Sequence, residues 1–132
     1  MPTTRLTKEH FAATLQRYRR AWETQNTEAI LEIFTEDATY HERLLEEPMR
    51  GHRGIREYWN SKVVEGQANI KMKVVSMFID GNVGIAEWEV TFDDTKKKIR
   101  RFMKEIAVLE FDGPQIKHLR EYWTSRSLGE IG

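Results

Sequence analysis

The sequence contains no cysteine. Disulfides, zinc ribbons, iron–sulfur clusters and cysteine nucleophiles are therefore excluded. It also lacks an excess of either charge, with 21 Lys and Arg against 21 Asp and Glu. A surface for nucleic acid or anionic membrane shows as surplus Lys and Arg, so neither partner is expected. No apolar run approaches the roughly 20 residues of a membrane-spanning helix. The opening Met-Pro-Thr-Thr-Arg-Leu lacks the apolar stretch of a secretory signal, which makes a cytoplasmic location the expectation. There is no G-x-S-x-G, no H-E-x-x-H, no phosphate-cradling P-loop and no internal repeat. His41 and His52 are separated by a stretch holding Glu42, Glu46 and Glu47 without tight ligand spacing. They read as loop residues, so no metal site is expected, and nothing demands a cofactor.

What is present points to one folded domain spanning residues 1–132, with its core at about residues 7–126. That length buries a core without staples. Apolar residues make up 39% and charged residues 32%, which excludes a disordered tail. Four Trp, four Tyr and six Phe are available to line a core, a pocket or an interface.

The order of elements follows from periodicity. Thr7 is placed to cap a first helix in which Phe11, Leu15, Tyr18 and Trp22 recur on one face. Ala29, Ile30, Ile33 and Phe34 predict a short second helix, and Ala38 to Glu42 a short strand. Leu44 to Arg50, with Pro48, reads as loop. Gly51-His52-Arg53-Gly54 opens a third helix with Ile55, Tyr58, Trp59 and Val63 inward, ending at Gly66. Beyond Gly66 the period becomes extended. Four runs, 69–79, 83–92, 97–111 and 115–126, are divided by the turns Asp80-Gly81-Asn82, Asp93 to Lys96 and Asp112-Gly113-Pro114. Gly129 and Gly132 mark a loose tail. Helices first and strands afterwards imply an α+β fold with an antiparallel meander. The run 97–111 is longer than a usual strand and is expected to bend through a bulge, letting the sheet wrap around the helices.

Five stretches in this order resemble one family. They are Ala29-Ile30-Leu31-Glu32-Ile33-Phe34-Thr35-Glu36-Asp37-Ala38-Thr39-Tyr40, Gly51 to Trp59, Asp80 to Trp88, Ile106 to Gly113 and Ile116 to Trp123. Together, from about Phe11 to Ser125, the chain resembles the SnoaL-like branch of the nuclear transport factor 2 superfamily. That resemblance implies a cone in which a curved antiparallel sheet wraps around three N-terminal helices and encloses an apolar cavity. It does not choose an activity. The superfamily includes ketosteroid isomerases, polyketide cyclases, limonene-epoxide hydrolases and dehydratases, as well as carriers and adaptors without catalysis.

The candidate residues follow from strand parity and from the resemblance. Leu119, Glu121 and Trp123 share one face of the last strand, and the resemblance puts Glu121 on the cavity side. A desolvated carboxylate there has a raised pKa and suits acid–base work near neutrality. On the preceding strand Arg101, Met103, Glu105, Ala107, Leu109 and Phe111 share a face, so Glu105 interrupts an apolar series. A bulge in that strand would turn Glu105 outward. Arg101, about 13 Å along the strand from Glu105, is expected to meet Glu121 or a ligand. Two acids and an Arg resemble the Asp-Arg-Asp set of the epoxide hydrolases. The match departs in using Glu, and in Met103 where an Arg would fit. Tyr18 resembles the oxyanion Tyr of the isomerases, and Tyr40 lies near the place of their general base, where neither Asp37 nor Glu42 matches. Trp22, Trp59, Trp88 and Trp123 are expected as walls.

Two readings result. In one the chain is an acid–base enzyme acting on an apolar cyclic or carbonyl compound, with Glu121, Glu105 and Arg101 as catalytic groups and Tyr18, Trp22, Tyr40, Trp59, Trp88 and Trp123 around the ligand. In the other it is a ligand-binding or dimerisation module without catalysis. Phe102, Ile106, Val108 and Tyr122 point away from the expected cavity, and a homodimer through the sheet is anticipated.

Overall fold

The computed structural model describes residues 5–131. Helix α1 spans Lys8–Glu23, and its cap is the expected one, with the Thr7 hydroxyl accepting from His10 N. Its apolar face buries Phe11, Leu15, Tyr18 and Trp22. Helix α2 spans Thr27–Glu32 and strand β1 Phe34–His41. Met49–Arg50, expected as loop, form a two-residue strand β2 against Thr39 and Tyr40. Helix α3 spans Gly51–Trp59, so His52 stands in a helical turn rather than a loop, and His41 ends β1. A π-helical segment, Asn60–Glu65, follows α3 and closes on Gly66. A Cβ on Gly66 would lie 2.6 Å from the Lys62 carbonyl oxygen, so only glycine fits this tight closure.

The four predicted strands are present as β3 (Gln67–Asp80), β4 (Val83–Asp94), β5 (Ile99–Asp112) and β6 (Gln115–Glu130). They form the expected meander within a six-stranded sheet of order β2-β1-β6-β5-β4-β3. The sheet is not wholly antiparallel, because β1 runs parallel to β6. Those two strands are separated in the chain by α3, the π-helical segment and four other strands, so no tight turn dictates their relative direction.

The bulges lie elsewhere than expected. The β4–β5 register runs unbroken from Val83–Glu110 to Asp94–Ile99. Extra residues occur instead in β3 and β6. Val74 faces Trp88 and Ser76 faces Glu87, which leaves Val75 over. Phe111 faces Ile116 and Glu110 faces His118, which leaves Lys117 over. The expected loose tail is also partly strand: Gly129 pairs with Arg100, and Ile131 N donates to Lys98 O. Gly132 lies outside the described residues.

The bulge at Lys117 matters for the site. Ile116 is buried, and plain alternation would carry His118 and Arg120 inward after it. The extra residue shifts the parity so that Leu119 and Glu121 point in. The helices pack on this inner face. The Phe11 ring lies so close over Gly84 that a Cβ there would sit 2.5 Å from Phe11 Cζ. On the outer face Phe102 and Val108 are half-buried, while Ile106 and Tyr122 are 39% and 50% exposed.

Candidate active site

The inner face of the sheet, α1 and the α3–π-helix segment leave a cavity of about 530 Å³. Strand parity supplies one wall. Glu121, Trp123 and Ser125 follow one another on β6, and Arg101 and Met103 on β5. Tyr40 comes from β1, Trp22 from α1, and Tyr58 and Trp59 from α3. Thus Glu121, Arg101, Tyr40, Trp22, Trp59 and Trp123 stand on the cavity. Tyr18, Trp88 and Glu105 are buried one layer behind it.

At the deep end two tyrosine hydroxyls converge on one carboxylate oxygen. Tyr40 donates to Glu121 Oε1 at 2.8 Å, Tyr18 lies 3.3 Å from the same oxygen, and the two phenol oxygens are 2.5 Å apart. Two hydroxyl protons serve three close oxygen pairs. The shorter distances select a chain in which Tyr18 donates to Tyr40 and Tyr40 to Glu121.

Burial governs the titration of this cluster. It pushes the Glu121 carboxyl up to about 7, with the Tyr40 hydrogen bond pulling the other way. Glu105 is held well above the usual carboxylate range, by burial first and then by the charge of Glu121. The two stand on adjacent strands, Glu105 facing Trp123 and Glu121 facing Ala107, so they are diagonal neighbours on the inner face. The pair shares its titration, with the deeper Glu105 protonated and Glu121 the group that ionises near neutrality. Tyr18, Tyr40 and Tyr58 are raised well above the ordinary phenol value by burial and then by Glu121, so they remain donors.

Glu105 is 3% exposed, and neither of its oxygens has a hydrogen-bond partner. The Trp88 indole nitrogen opposite it across β4–β5 is likewise unpartnered. A carboxyl buried this way resists charge. Arg101, expected to meet Glu121 or a ligand, donates instead to Ser125 Oγ at 3.1 Å, four residues along β6 from that acid.

Sequence reasoning missed two residues. Glu42 is 7% exposed on the cavity wall, paired with Arg43 at 3.3 Å and Lys62 at 3.8 Å. Its carbonyl oxygen accepts from the Trp123 indole at 3.1 Å. Tyr58 also lines the wall, its ring centroid 5.3 Å from that of Tyr40. The alternation from Tyr40 to Glu42 along β1 was the available signal for the first, and the inward position of Tyr58 between Ile55 and Trp59 for the second. Among the described residues no cluster of His, Cys, Asp or Glu could hold a metal ion, and no helix is long and apolar enough to cross a membrane.

The SnoaL-like domain family model matches residues 15–119. The chain belongs to the SnoaL-like domain family. No curated protein sequence matches it. Among solved structures, this SnoaL-like chain is similar to a putative isomerase from Bacillus subtilis, with 17% identity, TM-score 0.77 and coverage of 88% of this chain and 87% of that one. It is similar to SalBIII, described as an epoxide hydrolase/cyclase-like enzyme in pyran ring formation in polyether salinomycin, with 20% identity, TM-score 0.76 and coverage of 89% and 92%. It is also similar to an M. tuberculosis LEH-like epoxide hydrolase, with 15% identity, TM-score 0.72 and coverage of 88% and 84%. At these identities the likeness establishes the nuclear transport factor 2-like α+β cone.

Proposed function

We propose that this chain is a cofactor-independent acid–base enzyme, of the isomerase, cyclase or hydrolase kind, acting on an apolar compound with a ring, epoxide or carbonyl group. The observation that carries this reading is Glu121, a cavity-wall carboxyl pushed up to about 7 and oriented through one oxygen by Tyr40. A general base is most effective when its pKa lies near the working pH. Once ionised, the Glu121 carboxylate has a lone pair to take a proton from an acidic C–H or from a water attacking an epoxide. The cavity volume, about 530 Å³, falls within the roughly 300–1,000 Å³ usual for small-molecule sites. Trp22, Trp59 and Trp123 supply apolar wall. A carrier needs only such walls, and the acid held by two buried phenols is superfluous to carriage. The solved-structure neighbours described as isomerase and epoxide hydrolase agree with this reading at the level of fold.

The test is turnover of a panel of epoxides and cyclic enones on apolar bodies, with and without a terminal carboxylate, by the full chain and by Glu121→Gln. Loss of the proton-transfer group is expected to lower kcat by about 10²–10⁴-fold, with the variant still folded. Full turnover by Glu121→Gln, or no turnover of any panel member by the parent, overturns the proposal.

A further inference from the structure

The two ends of the cavity differ in charge. Arg43, Lys62, Lys96, Lys97 and Arg101 line it, against Glu42 and Asp94 besides the titrating Glu121. This basic surplus occurs in a chain whose formal net charge is zero. Both acids are already engaged. Glu42 pairs with Arg43 and Lys62, and the Asp94 carboxylate accepts from the backbone N–H groups of Lys96 and Lys97. Arg101, Lys96 and Lys97 have no acidic side-chain partner among the described residues.

The neighbouring Arg100 makes the contrast sharp. It points to the outer face and bonds Asp93 at 2.9 Å; on the same face Arg120 bonds Glu110 at 2.7 Å and Arg126 lies over the Phe102 ring. Arg101 points inward, half-buried, and its one side-chain hydrogen bond goes to a neutral hydroxyl. A guanidinium has five donors in a planar fork, so most of this fork is unspent. It stands on a wall with Met103 and Trp123, where a carboxylate accepting two parallel bonds would be partly shielded from water.

The unbroken register from Glu121 to Ser125 supplies a ruler. Ser125 lies four residues beyond Glu121 on the same face, about 13 Å at the usual rise, with Trp123 between them. Allowing for a hydrogen bond at each end leaves a span on the order of 10 Å.

We infer that the substrate is amphiphilic: an apolar ring body lies over Trp123 and Met103, its carboxylate is held at the mouth by Arg101 with Lys96 and Lys97, and its reacting atom reaches Glu121. The inference rests on the acid–base reading only for which end reacts; the anion site stands on Arg101 and the mouth charges.

The probe is 4-(2-naphthyl)butanoate, compared with its uncharged primary amide by calorimetry on the full chain. The carboxylate is expected to bind at least about tenfold more tightly than the amide, as a charge-assisted fork requires. Arg101→Gln should remove most of that preference, and Arg101→Lys should keep part of it. Glu121→Gln should preserve it, so failure of the catalytic reading and failure of this one are told apart. If Arg101→Gln melts early, salt decides: the carboxylate's advantage must shrink as salt rises while amide affinity holds. Equal affinities, a preference that survives Arg101→Gln, a salt-independent preference, or no binding of either compound each overturns the inference.

Discussion

Trp88 and Glu105 face each other on one rung of the β4–β5 ladder, and Glu89 and Lys104 face each other on the next. The first pair points into the cone and the second points out. Glu105 is buried without a hydrogen-bond partner and holds its proton. Glu89 is partly exposed on the outer face, 3.6 Å from Lys104. Residue type and strand are nearly the same, and side-chain parity makes the difference. On the inner face burial raises a glutamate's pKa and favours its protonated form. On the outer face it is half of a surface ion pair. β6 repeats the lesson, since the bulge at Lys117 decides that Glu121 rather than Arg120 enters the cavity.

The largest thermodynamic effect that separates the faces is pH-dependent. The folded-state value of Glu121, about 7, lies above its ordinary 4.5. The folded chain therefore binds this proton more readily than the unfolded chain. The resulting contribution to stability is complete below about 4.5 and is lost as pH rises through about 7. Glu121→Gln removes this linkage. Its unfolding free energy relative to the parent should improve by about 3 kcal/mol between acid pH and about pH 8. Glu105→Gln should shift in the same direction, because burial raises that carboxyl too. Denaturant titrations across this range check both, and a gap constant with pH would mean that the inner carboxyls ionise as freely as exposed ones.

A smaller effect comes from the orienting phenol. Tyr40→Phe removes the 2.8 Å donor that favours ionised Glu121. The carboxyl should then titrate at higher pH, and the rising limb of the kcat/KM profile should move to the alkaline side with it. At neutral pH the rate should fall about tenfold, the usual scale for losing one hydrogen bond to a charged group. A reduced rate with an unmoved limb would make Tyr40 a wall rather than a tuning group.

Much of this was legible in the sequence, and the omissions have physical causes. Period changes revealed the helices, the meander and the inward acids, because a period of two fixes a face once a strand is located. The bulges were not legible. The excess length of 97–111 signalled curvature, but curvature is a property of the whole sheet and was taken up by β3 and β6. The parallel pairing of β1 with β6 joins residues about 80 positions apart, beyond any local pattern. Glu42 was missed because its burial depends on Trp123, Lys62 and Arg43, which meet it only in the folded chain. Arg101 was placed on the correct face, but its partner at the mouth, Ser125, depended on the β5–β6 register.

The smallest effect is expected on the outer rung. Glu89 and Lys104 are 32% and 53% exposed, so solvent screens their attraction and ordering two long side chains offsets part of it. Glu89→Gln should change stability by less than about 1 kcal/mol. That change should shrink further with added salt, since the Debye length falls to about 3 Å at 1 M. It should also leave both turnover and the pH dependence of stability where the parent has them. The absence of a pH response is the informative part. If Glu89→Gln altered the neutral-range limb as Glu121→Gln does, charge on either face would be felt alike in the cavity, and strand parity would not be what separates a cavity carboxyl from an outer-face one.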